Sequence, residues 1–264
     1  MVEAYFGFKK MPFAKNINCE DFFESYDIKE ADARLEYIKR YRGIVLVTGE
    51  PGSGKTFLLR RFVNQLSMQT FYQCYTPHST VTPGDLYRQL NTLLNLAQKS
   101  RKSDLFMQIQ KGILDLYRNQ GKVTCLILDE CQLMDLKTLQ ELIMITNFEM
   151  DALLPFILIL IGQPDFKNTL NRQILEPLKQ RILVKYHMSG LSLAETQKYI
   201  EKHLSLVGRQ DPLFLPCAFE VIYQLSQGLP RKIGTICLTS LNAAITKNKK
   251  EISGNDIVAI ASEF

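Results

Sequence analysis

Residues 49–56 read GEPGSGKT. The apolar run Ile44–Val47 stands before them, and Phe57, Leu58, Leu59, Phe62, Val63 and Leu66 follow at helical spacing. A short apolar run, a glycine-rich turn and an amphipathic segment predict a strand, a loop and a helix in that order. Glycines let the backbone curl until successive N–H groups point inward as an anion nest. A helix opening near Lys55 adds unpaired N–H groups and the positive end of its dipole. The pattern G-x-x-x-x-G-K-[ST] in this setting is that of a phosphate-binding loop. The expected nucleotide-binding residues are Gly49, Glu50, Pro51, Gly52, Ser53, Gly54, Lys55, Thr56 and Phe57. Lys55 would reach the β- and γ-phosphates of ATP, and Thr56 would give a hydroxyl to Mg²⁺.

The rest of the chain is consistent with a globular nucleotide-binding protein. It has 264 residues, 46% hydrophobic and 22% charged, which suits one large domain or two small ones. The net charge of +5, from 32 basic and 27 acidic residues, permits an anionic partner without arguing for one. MVEAYFGFKK has no apolar core of a signal peptide. The longest apolar run, 152–161, is broken by Pro155 and is too short to cross a bilayer. Cys19, Cys74, Cys125, Cys131, Cys217 and Cys237 form no C-x-x-C pair and lie far in sequence from His78, His187 and His203. A zinc site is therefore not expected, and a cytoplasmic location is.

Strands are expected at 44–48, 71–75, 123–128, 156–161 and 183–187, with helices near 56–68, 83–97, 103–119, 136–147 and 165–172. Alternation of this kind predicts an α/β fold, a parallel five-stranded sheet covered on both faces. After Gly190 the pattern turns helical. Ser192–Glu195 is a capping box, and Pro216 and Pro230 each open a further helix. The expected organisation is an irregular arm at 1–28, a P-loop α/β core at 29–190 and a helical subdomain at 191–264.

Hydrolysis needs more than a cradle. CLILDE, residues 125–130, is an apolar strand ending in two carboxylates. Asp129 would hold the Mg²⁺ shell through water, opposite Thr56, and Glu130 would orient and deprotonate the attacking water. Gln163, after the strand FILILIG, would emerge beside the γ-phosphate. Arg181 in LKQRI could act in trans on the γ-phosphate of a neighbouring subunit, with Arg172 as its rival. Arg231 in GLPRKI is placed to contact the phosphates from the helical subdomain.

In this order, GEPGSGKT, LILDE, a polar residue after the fourth strand, LKQRI and GLPR resemble the AAA+ ATPases. The helical subdomain resembles the AAA+ lid. YFGFKKMPF, ILDE followed by Gln132-Leu133-Met134, and LIGQP resemble the ExeA-like group. That likeness implies that Phe8, Pro12 and Phe13 pack near the adenine; a hydrophobic anchor for the arm is the other reading of these residues. Cys131-Gln132 departs from an Ala-His pair frequent in the group.

The ExeA-like group implies two different roles. One is ATP-driven secretion or envelope assembly. The other is transposition, in which helpers resembling TnsC or MuB oligomerise on double-stranded DNA and direct a transposase. A chain with no membrane span that ends at Phe264 favours the second expectation. Basic clusters at 39–42, 60–61, 99–102 and 247–250 fit it, with Lys99, Arg101 and Lys102 the best DNA candidates. A nucleotide-gated switch that binds a protein partner is a third reading. The sequence leaves ring and filament as open forms of the homo-oligomer.

Overall fold

The structure, a computed structural model, describes residues 2–14, 21–76 and 81–261. Cys19 and His78, weighed above for a metal site, lie outside them. The chain divides into two compact units. One comprises 31–49 and 55–188, and the other 1–30, 50–54 and 189–264.

The first unit is built on a five-stranded parallel sheet. Its strands are β1 (Gly43–Gly49), β2 (Phe71–Thr76), β3 (Val123–Leu128), β4 (Phe156–Gly162) and β5 (Ile182–Met188). They lie side by side in the order β2-β3-β4-β1-β5, each pair parallel. Every residue of β1, β3 and β4 is buried. Only continuous apolar runs suit strands covered on both faces, which is why these three are legible as strands. β5 sits at the edge, and its exposed and half-buried residues are mixed.

Helices cover this sheet. α1 (Val2–Phe6) belongs to the other unit, and α2 (Tyr26–Tyr41) begins there and runs into this one. α3 (Lys55–Gln65), α4 (Pro83–Leu93), α5 (Lys102–Arg118), α6 (Leu136–Ile145), α7 (Phe166–Leu170) and α8 (Glu176–Arg181) follow. Thr82 and Asp135 cap α4 and α6, each accepting a backbone N–H in the first turn. The sequence pattern does not predict α8; six residues are too few to show a period.

The second unit holds α9 (Leu193–Leu206), α10 (Pro216–Ser226), α11 (Pro230–Thr246) and α12 (Gly254–Val258). The capping box at Ser192 is complete: its hydroxyl accepts from Glu195 N–H, and the Glu195 carboxylate accepts from Ser192 N–H. Left-handed Gln227 caps α10 and Gly228 follows at φ +70°; a Cβ on Gly228 would lie 2.0 Å from the Leu191 carbonyl oxygen. The segment expected to be irregular contains α1, and α2 starts at Tyr26. Val2, Phe6 and Phe8 share one apolar core with Ile200, Phe214, Ile233 and Leu241. Glu195 also accepts from the Tyr26 N–H at 2.7 Å, and Asp27 accepts from the N–H groups of Ser189 and Gly190.

Within that unit the Phe13 ring stacks on His203, with centroids 4.9 Å apart, and Tyr199 flanks His203 at 4.3 Å. Burial, and then the Lys202 charge, lower the His203 pKa from 6.5 to about 4. The imidazole is thus neutral in the fold where the unfolded chain would be charged. Its stabilising effect is complete above pH 6.5 and is lost as pH falls toward 4. The contribution is on the order of 2–3 kcal/mol. His203→Phe should therefore lose less stability than the parent between pH 7 and pH 4.5, as measured by urea unfolding. Equal losses would remove His203 as the cause.

Candidate active site

Strand register fixes where the functional groups emerge. Thr48 in β1 lies opposite Gly162 in β4, and Leu128 in β3 lies opposite Leu160. The strands are parallel and neighbours, so Gly49, Asp129 and Gln163 leave the sheet at one edge. Open parallel sheets take their ligands beyond the carboxyl ends of the strands.

The turn after β1 has its glycines in conformations that side chains resist: Gly52 at φ +87° and Gly54 at +104°. Ser53 N–H donates to the Glu50 carbonyl at 3.1 Å, which tightens the curl. The Ser53 hydroxyl is buried and finds no partner among the described residues. An orphaned hydroxyl in a nest of amides suits a phosphate oxygen. Arg231, at the start of α11, donates its N–H to the Gly52 carbonyl at 3.3 Å. A Cβ on Gly52 would lie 2.7 Å from Arg231 Cβ.

Lys55 is the first residue of α3 and is 8% exposed. Its ammonium donates to the Gly49 carbonyl at 2.6 Å. Thr56 is exposed and Phe57 is half-buried.

Asp129 is buried at the end of β3. It accepts the Glu130 N–H at Oδ1, 2.9 Å, and the Tyr75 hydroxyl at Oδ2, 3.2 Å. Burial raises its pKa, while the hydrogen bonds and the Lys55 charge pull the other way. Burial, and then the Asp129 charge, push the Tyr75 phenol up to about 12, so it remains a donor at neutral pH. A carboxylate and a hydroxyl are the hard oxygen ligands that Mg²⁺ takes, so Asp129 and Thr56 fit the ion.

Glu130 has left-handed backbone, φ +53° and ψ +40°. A non-glycine residue held there costs on the order of 1–3 kcal/mol, and such residues cluster at functional sites. The chain then enters a 3₁₀ turn, Cys131–Leu133. Cys131 is buried and its thiol donates to the Leu128 carbonyl at 3.2 Å. Gln132 turns back over the strand ends. Its Nε2 donates to Glu130 Oε2 at 2.5 Å, and its Oε1 accepts the Gln163 N–H at 3.0 Å. Sequence pattern alone gives Gln132 no role. Its only signal there is one amide between Glu130 and the apolar Leu133-Met134.

The other expected site residues have the following partners. The Arg181 guanidinium donates to the Ile143 carbonyl at 2.8 Å and the Thr146 hydroxyl at 3.3 Å, and pairs with Asp151 at 2.7 Å. Phe8 stacks on Phe6 in the helical unit's core, and Phe13 packs on His203. Lys99 and Arg101 are exposed ahead of α5, whereas Lys102 pairs with Glu141. Arg61 pairs with Asp32 at 2.8 Å, and Arg60 is exposed.

Residues 38–170 match the family model described as AAA domain. The chain belongs to the AAA domain family, a class of ATP hydrolases. It is 31% identical over 271 residues to General secretion pathway protein A of Aeromonas hydrophila. That match takes in 100% of this chain and 48% of the relative, so the chain spans about half the relative's length. The relative supports the ExeA-like type. Two solved structures share the fold. Cdc6p of Pyrobaculum aerophilum has a TM-score of 0.67 at 16% identity, covering 99% of this chain and 70% of that one. RuvB of Thermotoga maritima, a Holliday junction branch migration motor, has a TM-score of 0.60 at 19% identity, covering 95% and 72%.

Gly52→Ala tests the turn. The new methyl meets a Cβ, which cannot swing aside as a side-chain tip could, and the positive φ adds strain. ATP affinity, read by titration with a fluorescent ATP analogue, should fall about tenfold or more, equivalent to about 1.4 kcal/mol. Unchanged affinity would show that the turn does not hold the phosphates.

Proposed function

We propose that this chain binds ATP with Mg²⁺, hydrolyses it as a homo-oligomer, and drives secretion or envelope assembly in the manner of an ExeA-type ATPase. One observation supports the chemistry above the others. Asp129 and the left-handed Glu130 leave the sheet two strands from β1, whose turn leads into the buried Lys55. The whole-chain likeness to General secretion pathway protein A supports the role in secretion.

The turn amides, the Ser53 hydroxyl and Lys55 hold the phosphate oxygens. The Thr56 hydroxyl and, through water, Asp129 would hold Mg²⁺, which when bound would neutralise charge on the phosphates. Glu130 takes a proton from water as that water attacks the γ-phosphorus. The bond from the γ-phosphorus to the bridging oxygen breaks, and ADP leaves with the electron pair. The Gln163 side chain holds the water or the γ-phosphate. Arg231, fixed at Gly52, carries its charge beside the phosphate turn. Arg181 serves a neighbouring copy only by releasing Asp151 and the two oxygens it now bonds.

A second reading keeps the chemistry and changes what it drives. In it the chain is a transposition helper that oligomerises on double-stranded DNA. The exposed Lys99 and Arg101 favour this reading. Among the described residues no helix is long and apolar enough to cross a membrane, which either role accommodates.

Lys55→Ala should weaken ATP binding itself, whereas Glu130→Gln should keep ATP bound and lower turnover by a factor on the order of 10²–10⁴. Equilibrium binding beside steady-state phosphate release separates the two; turnover surviving in Glu130→Gln would unseat the base. ATPase rates with double-stranded DNA or with vesicles containing anionic lipid, at two salt concentrations, separate the two roles. The secretion reading expects no DNA stimulation and co-sedimentation with vesicles. Stimulation by DNA that fades with salt would replace it with the transposition reading.

A further inference from the structure

We propose that Gln132 is a positioning residue for hydrolysis, a single amide that ties the Glu130 carboxylate to the tip of β4. This rests on Glu130 being the base. The two ends of the amide are used for different bonds: Nε2 donates to Glu130 Oε2 at 2.5 Å, and Oε1 accepts the Gln163 N–H at 3.0 Å. Chemistry fixes that orientation. An ionised carboxylate only accepts and a backbone N–H only donates, so a flipped amide would lose both bonds.

The local backbone makes the reach possible. Left-handed Glu130 and the following 3₁₀ turn send Gln132 back across the strand ends. Gly162 leaves room for it: a Cβ there would lie 3.2 Å from Gln132 Oε1 and 3.2 Å from Phe166 Cβ. A glutamate at a strand end otherwise samples many rotamers, and misplacing a base by about 1 Å can cost about 10²-fold in rate. The amide limits that freedom. It also couples Glu130 to Gln163, the residue expected beside the γ-phosphate, so a displacement of the β4 tip moves the base with it.

The test uses the full chain, with ATP affinity as the check on folding. Gln132→Leu and Gln132→Glu both remove the donor. Each should lower kcat about tenfold or more while KM and the affinity for a fluorescent ATP analogue change less than about threefold. Gln132→His offers one ring nitrogen as donor and the other as acceptor, and should keep at least about a third of the parent kcat. In a Glu130→Gln background, Gln132→Leu should lower the residual rate no further, because the amide acts through the carboxylate. If Glu130→Gln abolishes turnover but Gln132→Leu leaves kcat within about twofold, the tie is wrong and the base assignment stands. A Gln132→His variant that binds ATP but is as slow as Gln132→Leu also overturns the tie. If Glu130→Gln leaves turnover intact, the base assignment falls, and the tie falls with it.

Discussion

Lys55 is buried at the first turn of α3, and its ammonium donates to a neutral backbone carbonyl at 2.6 Å. The helix N-terminus around it favours negative charge. Amides of a glycine turn, a buried hydroxyl and a buried cation within one short stretch suit an anion rich in oxygens. A triphosphate is the ligand of that chemistry, and the rest of the site makes sense as what happens at its outer end.

The sheet gathers the other candidate groups. Parallel register carries the ends of β1, β3 and β4 to one edge, so residues far apart in the chain meet without any long side chain reaching across. Asp129 stays buried, held by a phenol and an amide. Glu130 is held in a left-handed backbone conformation that costs free energy. That contrast suits one carboxylate to a fixed cation shell and its neighbour to moving a proton. In the other unit, the Arg231 backbone N–H donates to the Gly52 carbonyl of the glycine turn.

Much of this is legible in the sequence because it depends on local pattern. Apolar runs mark β1, β3 and β4, and glycines with a following lysine mark the turn. Ser192, Pro216 and Pro230 mark helix starts that the structure retains. What is not legible depends on side chains meeting across elements. Gln132 reads as an ordinary polar residue until Gly162 and Gln163 are placed beside it. Arg181 reads as a free cation until the end of α6 and the residue after it supply carbonyl and hydroxyl partners. Phe8 and Phe13 carry no period that would reveal which core they join, and the structure puts them in the helical unit. The biological role is less legible still. Strands and loops encode nucleotide chemistry, and the likeness to General secretion pathway protein A now weighs toward secretion over transposition.

A structure of the Glu130→Gln chain with ATP and Mg²⁺ tests the central claim most directly. The account predicts the γ-phosphate within hydrogen-bonding distance of Lys55 Nζ, the metal bound to the Thr56 hydroxyl with a water to Asp129, and residue 130 facing a water in line with the γ-phosphorus. A triphosphate seated away from Lys55, or a residue 130 remote from its outermost phosphate, would contradict it.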